Sequence, residues 1–232
     1  MIISGLQKTT TIDYPGKIAA IVFTRGCNFR CGYCHNPELV NPDKFYPEID
    51  EQEILDFLIK RKNVLEGVVI TGGEPLIHKD IDQFIKKVKD LGYAIKLDTN
   101  GTSPKFLKEL IDSGMIDYIA MDIKHDVDSY KKVVNTDLDS ENIRKSIKII
   151  MDSGVDYEFR TTVLPRLFNE DDFKKVGELI KGASKYYIQQ FRPIKTLDES
   201  YAEEESFTAK ELEQFRALME QYVDTCTIRG II

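Results

Sequence analysis

The sequence predicts an α/β protein built as a partial, open (β/α)6 barrel with parallel strands, and three observations lead there. Short β-branched runs alternate with longer amphipathic runs along most of the chain, the pattern of strand and helix in βα units. Glycines follow several of the amphipathic runs where helix C-caps belong. The strand-like runs number six, too few for a closed eight-stranded barrel.

The expected strands are Ile18 to Thr24, Gly67 to Thr71, Tyr93 to Asp98, Tyr118 to Ile123, Tyr157 to Val163 and Tyr186 to Arg192. Between them, apolar residues recur at helical spacing: Ile54, Leu55, Leu58 and Ile59; Phe84, Ile85, Val88 and Leu91; Phe106, Leu107, Leu110 and Ile111; Ile143, Ile147, Ile150 and Met151; Val176, Leu179 and Ile180. Ser103 with Pro104, and Ser140 with Glu141, read as helix starts, and Gly92, Gly114 and Gly154 as helix stops. Parallel strands joined by right-handed crossovers follow from that order. A last helix is expected over Ala209 to Tyr222, then a tail from Val223 to Ile232 whose alternation at Cys226, Ile228 and Gly230 permits an added edge strand.

The 232 residues, 42% hydrophobic and 31% charged, suffice for one domain over 1–232, with a core over about 17–195 and the C-terminal helix and tail over about 205–232. No Pro/Gly/Ser-rich linker divides the chain. A formal charge of -7 argues against a nucleic-acid surface, which needs a concentrated basic stripe. Lys86, Lys87 and Lys89 cluster, but on one helical stretch with apolar partners, as a solvated face. No apolar run approaches the roughly 18 residues of a membrane span. Met1 to Lys17 lacks the pattern of a signal peptide, and a reducing cytoplasm is the expected home for the thiols.

The chemistry concentrates at the expected C-terminal ends of the strands, where a βα barrel assembles its active site. The loop after the first strand reads TRGCNFRCGYCHNP and carries Cys27, Cys31 and Cys34 as C-x-x-x-C-x-x-C. A closed four-iron cluster or a structural zinc site takes four ligands, so three thiolates leave one position open. Zinc would have to recruit Cys226 or another remote residue, because His35 adjoins Cys34. Cys226 otherwise reads as a small hydrophobe. The second strand ends in Gly72-Gly73-Glu74-Pro75, the third in Asp98-Thr99-Asn100-Gly101, the fourth in Asp122-Ile123-Lys124-His125; Arg160 lies in the fifth and Gln189 to Arg192 end the sixth. Paired glycines admit a ligand to the backbone, and Glu74 suits a cationic amino group. Alone, the same segments read as turns and caps, and Arg160 equally as a structural ion pair.

Taken together, the spacing of the cysteines with an aromatic Tyr33 before the last resembles the radical S-adenosylmethionine (SAM) superfamily. The stretch GLQKTTTIDYPGKIAAIVFTRGCNFRCGYCHNPELV, continued through GGEP, DTNG and MDIK, is similar to anaerobic ribonucleoside-triphosphate reductase activating proteins and, more distantly, to pyruvate formate-lyase activating enzymes. The resemblance implies a [4Fe-4S] cluster held by Cys27, Cys31 and Cys34, its fourth iron chelated by SAM. It also implies SAM contacts from Tyr33, Asn36, Gly72, Gly73, Glu74, Asp98, Asn100, Lys124 and Arg160, and a monovalent-cation site at Asp98, Thr99 and Asp122. His35 stands in C-H-N-P as in the activases; where some of them carry a histidine near the end of the sixth strand, this chain has Phe191. His78 and His125 are expected on loop surfaces.

The implied activity is reductive cleavage of SAM and generation of a glycyl radical on a partner glycyl-radical enzyme, with reduced flavodoxin or ferredoxin as electron donor. The cysteine-rich ferredoxin-like insertion of some activases is missing, so a single cluster is expected. Two readings compete: a radical SAM enzyme acting on a small molecule, such as a 7-carboxy-7-deazaguanine synthase, and a non-catalytic iron-sulfur or zinc module, which would need neither GGEP nor Lys124.

Overall fold

A computed structural model describes residues 1–230. The hydrogen-bonded strand order follows the chain, β1 through β8, in an open sheet with helices in the connections. The chain forms two compact units, divided within the fifth strand.

The first unit comprises Met1–Asn28, Asn36–Thr99 and Ser103–Ile119. It contains β1 (Ile3–Thr10), β2 (Ala19–Thr24), β3 (Gly67–Gly72), β4 (Ala94–Thr99) and the start of β5 (Tyr118–Asp122), with helices α1 (Pro37–Val40), α2 (Glu51–Arg61), α3 (Ile81–Asp90) and α4 (Pro104–Asp112). Strand β2 runs parallel to β3, from Ala19 beside Gly67 to Thr24 beside Gly72, and β3 runs parallel to β4. Residues alternate between faces along a strand. Ala19, Ile21 and Val69 share a core cluster with Tyr14 and Tyr118, while Ala20, Val22, Val68 and Ile70 supply the other face; all of these are buried. Helix α3 buries Ile81, Phe84, Ile85 and Val88 and begins beyond the Gly73 loop.

The second unit holds Phe29–His35, Asn100–Thr102 and the chain from Ala120 onward. Its strands are the end of β5, β6 (Asp156–Val163), β7 (Lys185–Gln190) and β8 (Thr225–Arg229), and its helices α5 (Tyr130–Val134), α6 (Glu141–Met151), α7 (Glu170–Leu179) and α8 (Ala209–Met219). Strands β6, β7 and β8 are parallel neighbours. Capping boxes open α7 at Asn169 and α8 at Thr208, and Phe173 of α7 stacks on Phe215 of α8 at 4.1 Å.

The six expected strands are β2 to β7, and the suggested C-terminal edge strand is β8. Gly92, Gly114 and Gly154 end their helices with φ of 90°, 69° and 72°, as caps in the left-handed region require. Strand β1 was not expected. It runs antiparallel to β2 with two register shifts, and its sequence ISGLQKTT buries only Ile3, Ser4 and Thr10, so no period-2 apolar signal marks it. Among the described residues, no helix is long and apolar enough to cross a membrane.

Candidate active site

In the first unit the cysteine loop begins where β2 ends, locked to the GGEP turn through the backbone. Gly73 N donates to Thr24 O at 3.0 Å, Glu74 N to Gly26 O at 2.8 Å, and Gly26 N to Leu39 O at 2.7 Å. The glycines are dictated by this contact. A Cβ on Gly73 would lie 1.8 Å from Gly26 O and 3.1 Å from Cys27 N; one on Gly72, whose φ is 126°, would lie 2.4 Å from Thr24 N and O. The space that paired glycines were expected to open to a ligand is taken by a second stretch of backbone. Cys27 therefore leaves the sheet at a point fixed by the GGEP turn.

Glu74 is buried to 1% exposure. Its Oε1 accepts from Leu76 N at 3.1 Å and from Thr99 Oγ1 at 2.7 Å, so β3 and β4 are joined at their C-terminal ends by a carboxylate. Lys96 Nζ lies 2.5 Å from Asp98 Oδ1, with the lysine side chain 2% exposed. Lys96 is not among the residues the sequence places at the site. Asn36 is exposed and precedes α1, its carbonyl accepting from Leu39 N at 3.0 Å.

In the second unit Cys31 is buried and Cys34 half-buried, with Cys34 N donating to Cys31 O at 3.0 Å. The loop is fastened by Arg30 N to Val134 O at 2.8 Å and by Asp198 N to Gly32 O at 3.0 Å. Tyr33 is buried, its ring 6.2 Å from that of Tyr201. Burial pushes the Cys31 thiol up to about 11, and the Lys124 charge acts the other way. A thiol so placed becomes a thiolate when a metal supplies positive charge. Cys27, Cys31 and Cys34 are free of disulfides, and three soft sulfur donors on one short loop fit an iron-sulfur cluster.

Asp122 ends β5 between two cations: Oδ1 accepts from Arg160 Nε at 2.9 Å, and Oδ2 from Lys124 Nζ at 3.1 Å. Burial would raise its carboxyl, but the Arg160 and Lys124 charges outweigh burial and hold it well below the usual carboxylate range. Burial likewise opposes the Lys124 charge, yet Asp122 beside it holds the ammonium well above its ordinary value. Of the two readings of Arg160, the ion pair is what the structure displays. Tyr130 supports this group, accepting from Lys124 N at 3.1 Å and donating to Asp122 O at 3.3 Å. Asn100 folds its own turn, Oδ1 accepting from Thr102 N and Oγ1 at 3.1 and 2.7 Å, and Ser146 Oγ donates to Gly101 O at 2.7 Å.

The histidines divide. His35 meets Phe191 edge to face at 5.3 Å, so the residue standing where some activases carry a histidine is a packing partner of the C-H-N-P segment. His125, expected on a loop surface, is buried instead: Nδ1 lies 2.6 Å from Asp126 Oδ2, Nε2 lies 2.9 Å from Leu167 O, and the ring stacks on Phe168 at 4.6 Å. His78 is half-buried, with Nε2 2.7 Å from Arg25 O.

An α/β chain that carries three free thiols on the short loop after a strand has the donor set of an iron-sulfur enzyme. The chain belongs to the radical SAM superfamily, whose sequence model matches residues 21–180. Its cofactors are those of that superfamily, a [4Fe-4S] cluster and SAM. Across 99% of its length the chain is 35% identical to the putative glycyl-radical enzyme activating enzyme MJ1227 of Methanocaldococcus jannaschii, covering 96% of that protein. The two are members of one family. The pyruvate formate-lyase-activating enzyme of Clostridium pasteurianum is 28% identical over 84% of this chain and 82% of its own. Among solved structures, Streptococcus suis SuiB shares the fold, with a TM-score of 0.67 at 15% identity over 90% of this chain and 48% of SuiB.

Proposed function

We propose that this chain is a glycyl-radical enzyme activase, and that its partner is an anaerobic ribonucleoside-triphosphate reductase. The cluster and SAM, when bound, supply one-electron cleavage of the sulfonium and a 5'-deoxyadenosyl radical able to take a hydrogen atom from a glycine Cα. The chain's own residues bind, orient and shield. Cys27, Cys31 and Cys34 hold the cluster, and Tyr33 and Asn36 flank the last thiolate. Gly72, Gly73 and Glu74 receive the methionyl amino group, Lys124 its carboxylate, and Asp98 with Asn100 the ribose.

The observation that carries this reading is the backbone lock between the GGEP turn and the loop of Cys27, through Glu74 N and Gly26 O at 2.8 Å. It ties the carboxylate proposed for the amino group to the start of the ligand loop. Charge supports it. In the first unit Glu74 and Asp98 against Lys96 leave one negative charge, suited to an ammonium; in the second, Lys124 and Arg160 against Asp122 leave one positive charge, suited to a carboxylate. Arg160 acts through Asp122, which aims Lys124.

Activation of a glycyl-radical enzyme is supported by the names of the relatives along nearly the whole chain; pyruvate formate-lyase activation is the second reading, favoured by the Clostridium relative. Reduced flavodoxin or ferredoxin in the cytoplasm would deliver the electron. The test is anaerobic reconstitution with iron and sulfide, electron paramagnetic resonance of the reduced protein with and without SAM, and assay of 5'-deoxyadenosine. Mixing with each candidate partner then follows the glycyl radical. A cluster signal indifferent to SAM refutes the SAM reading, and a radical only on a pyruvate formate-lyase refutes the choice of partner.

A further inference from the structure

Lys96 and Asp98 stand two apart on β4, so strand alternation sets both on one face while Ile95 and Leu97 take the other. The lysine side chain is 2% exposed, its ammonium 2.5 Å from Asp98 Oδ1 and 6.0 Å from the centre of the Tyr118 ring. An ammonium is taken out of water to this degree only where a carboxylate compensates it. The resemblance assigns a monovalent cation to Asp98, Thr99 and Asp122. Asp98 already has a resident cation, and Thr99 Oγ1 turns its hydrogen to Glu74 Oε1 at 2.7 Å. Asp122, in the other unit, has two cations of its own in Arg160 and Lys124. An alkali ion on Asp98 would share its carboxylate with a buried ammonium at contact distance, a like-charge pair in a poorly hydrated place. The residues present do not fit a further metal ion.

We propose that the Lys96 ammonium takes the place of the monovalent cation, a tethered charge that pairs with Asp98 and orients it. Lys96 is a positioning residue, acting through Asp98, and its effect on SAM rests on the SAM-binding role given to Asp98 above. The enzyme is then independent of sodium and potassium, and removing the ammonium creates a need for them. Lys96→Met keeps the length and apolar stem and removes the ammonium from the Asp98 carboxylate.

The test compares reconstituted wild type and Lys96→Met in choline, sodium and potassium chloride at one ionic strength, reading SAM affinity from the change in the reduced-cluster resonance. Wild type is expected to bind equally within about twofold in all three salts. The variant is expected to lose about tenfold or more in choline, the scale of a lost hydrogen bond to a charged group, and to recover in sodium or potassium. A second readout needs neither SAM nor cluster: thallium-205 resonance of the purified proteins, in which the variant takes up thallium and wild type does not. A wild-type affinity that falls about tenfold in choline overturns the proposal, as does wild-type thallium uptake abolished by Asp98→Asn. So does a variant that matches wild type in choline or takes up no thallium. If wild type shows no response to SAM, the SAM reading fails while the thallium titration still decides the role of Lys96. If Lys96→Met does not fold, wild type decides alone through its salt series.

Discussion

Replacing Gly73 with alanine tests whether the GGEP turn builds the cluster loop or merely neighbours it. The added methyl would stand 1.8 Å from Gly26 O and 2.4 Å from Gly26 C, where real Cβ contacts keep at least 3.0 Å. Both obstacles are backbone, so no rotamer change relieves them, and the two segments must part by more than an ångström. That motion stretches the Glu74 N to Gly26 O hydrogen bond from 2.8 Å beyond its useful range and drags Cys27, the next residue. Overpacking of this kind costs about 1–3 kcal/mol and the lost hydrogen bond about 1 kcal/mol. Together these give about 2–4 kcal/mol, a fall in Tm of about 5–15 °C for a chain of this size.

The sharper consequence is chemical. With Cys27 displaced, two thiolates remain in register, and the variant should bind less than about half the wild-type iron and sulfide, because metal sites tolerate little error in ligand position. Gly114→Ala is the control: its φ of 69° makes it strained, but nothing lies within 4 Å of the added carbon, so it should lose stability and keep its cluster. Iron and sulfide analysis beside thermal melts separates the two. A Gly73→Ala protein with full iron content and a wild-type resonance would refute the reasoning.

Other perturbations follow from the ionic groups. Glu74→Gln keeps an oxygen for Leu76 N and Thr99 Oγ1 but removes the charge, so Tm should move little while SAM affinity falls about tenfold; an unchanged affinity would dismiss Glu74 as an amino-group ligand. Asp122→Asn leaves Arg160 and Lys124 without their anion and should cost about 3–5 kcal/mol by urea unfolding near neutral pH. Because the native carboxyl is held low by those cations against the effect of burial, its stabilisation is complete above the ordinary value of about 4 and disappears as pH falls toward the native one. The gap between wild type and Asp122→Asn should therefore shrink below about pH 4, and a gap constant through acid would contradict the pairing. His125→Phe keeps the stack on Phe168 but strips hydrogen-bond partners from Asp126 and Leu167; a loss of about 1–3 kcal/mol in urea is expected, and none would return His125 to the surface role first assigned to it.

Sequence carried the cysteine, GGEP and DTNG loops because their chemistry is local. Cysteine spacing, GGEP and DTNG are fixed by what neighbouring residues can do together, and β2 to β7 announce themselves by branched apolar runs. Strand β1 lacked that signal, since only Ile3, Ser4 and Thr10 of ISGLQKTT are buried and a bulged edge strand needs no clean alternation. His125 was misread for a related reason: what buries it, the Leu167 carbonyl and the Phe168 ring, comes more than forty residues later and leaves no mark on the segment itself.

Lys96 shows where the limit lies. In AIKLDT a lysine alternating with isoleucine and leucine reads as the solvated face of a half-buried strand, and Asp98 on that same face agrees with that pattern. The lysine is dry, however, at 1% exposure with its ammonium 6.0 Å from the centre of the Tyr118 ring, and an ammonium taken out of water has to be paired with the carboxylate beside it. One legible clue was available: residues two apart on a strand share a face, so assigning Asp98 to a buried site commits Lys96 to that site as well. Roles given to charged strand residues therefore have to be given in pairs, and the partner of a proposed ligand is the first place to look for the cation the ligand needs.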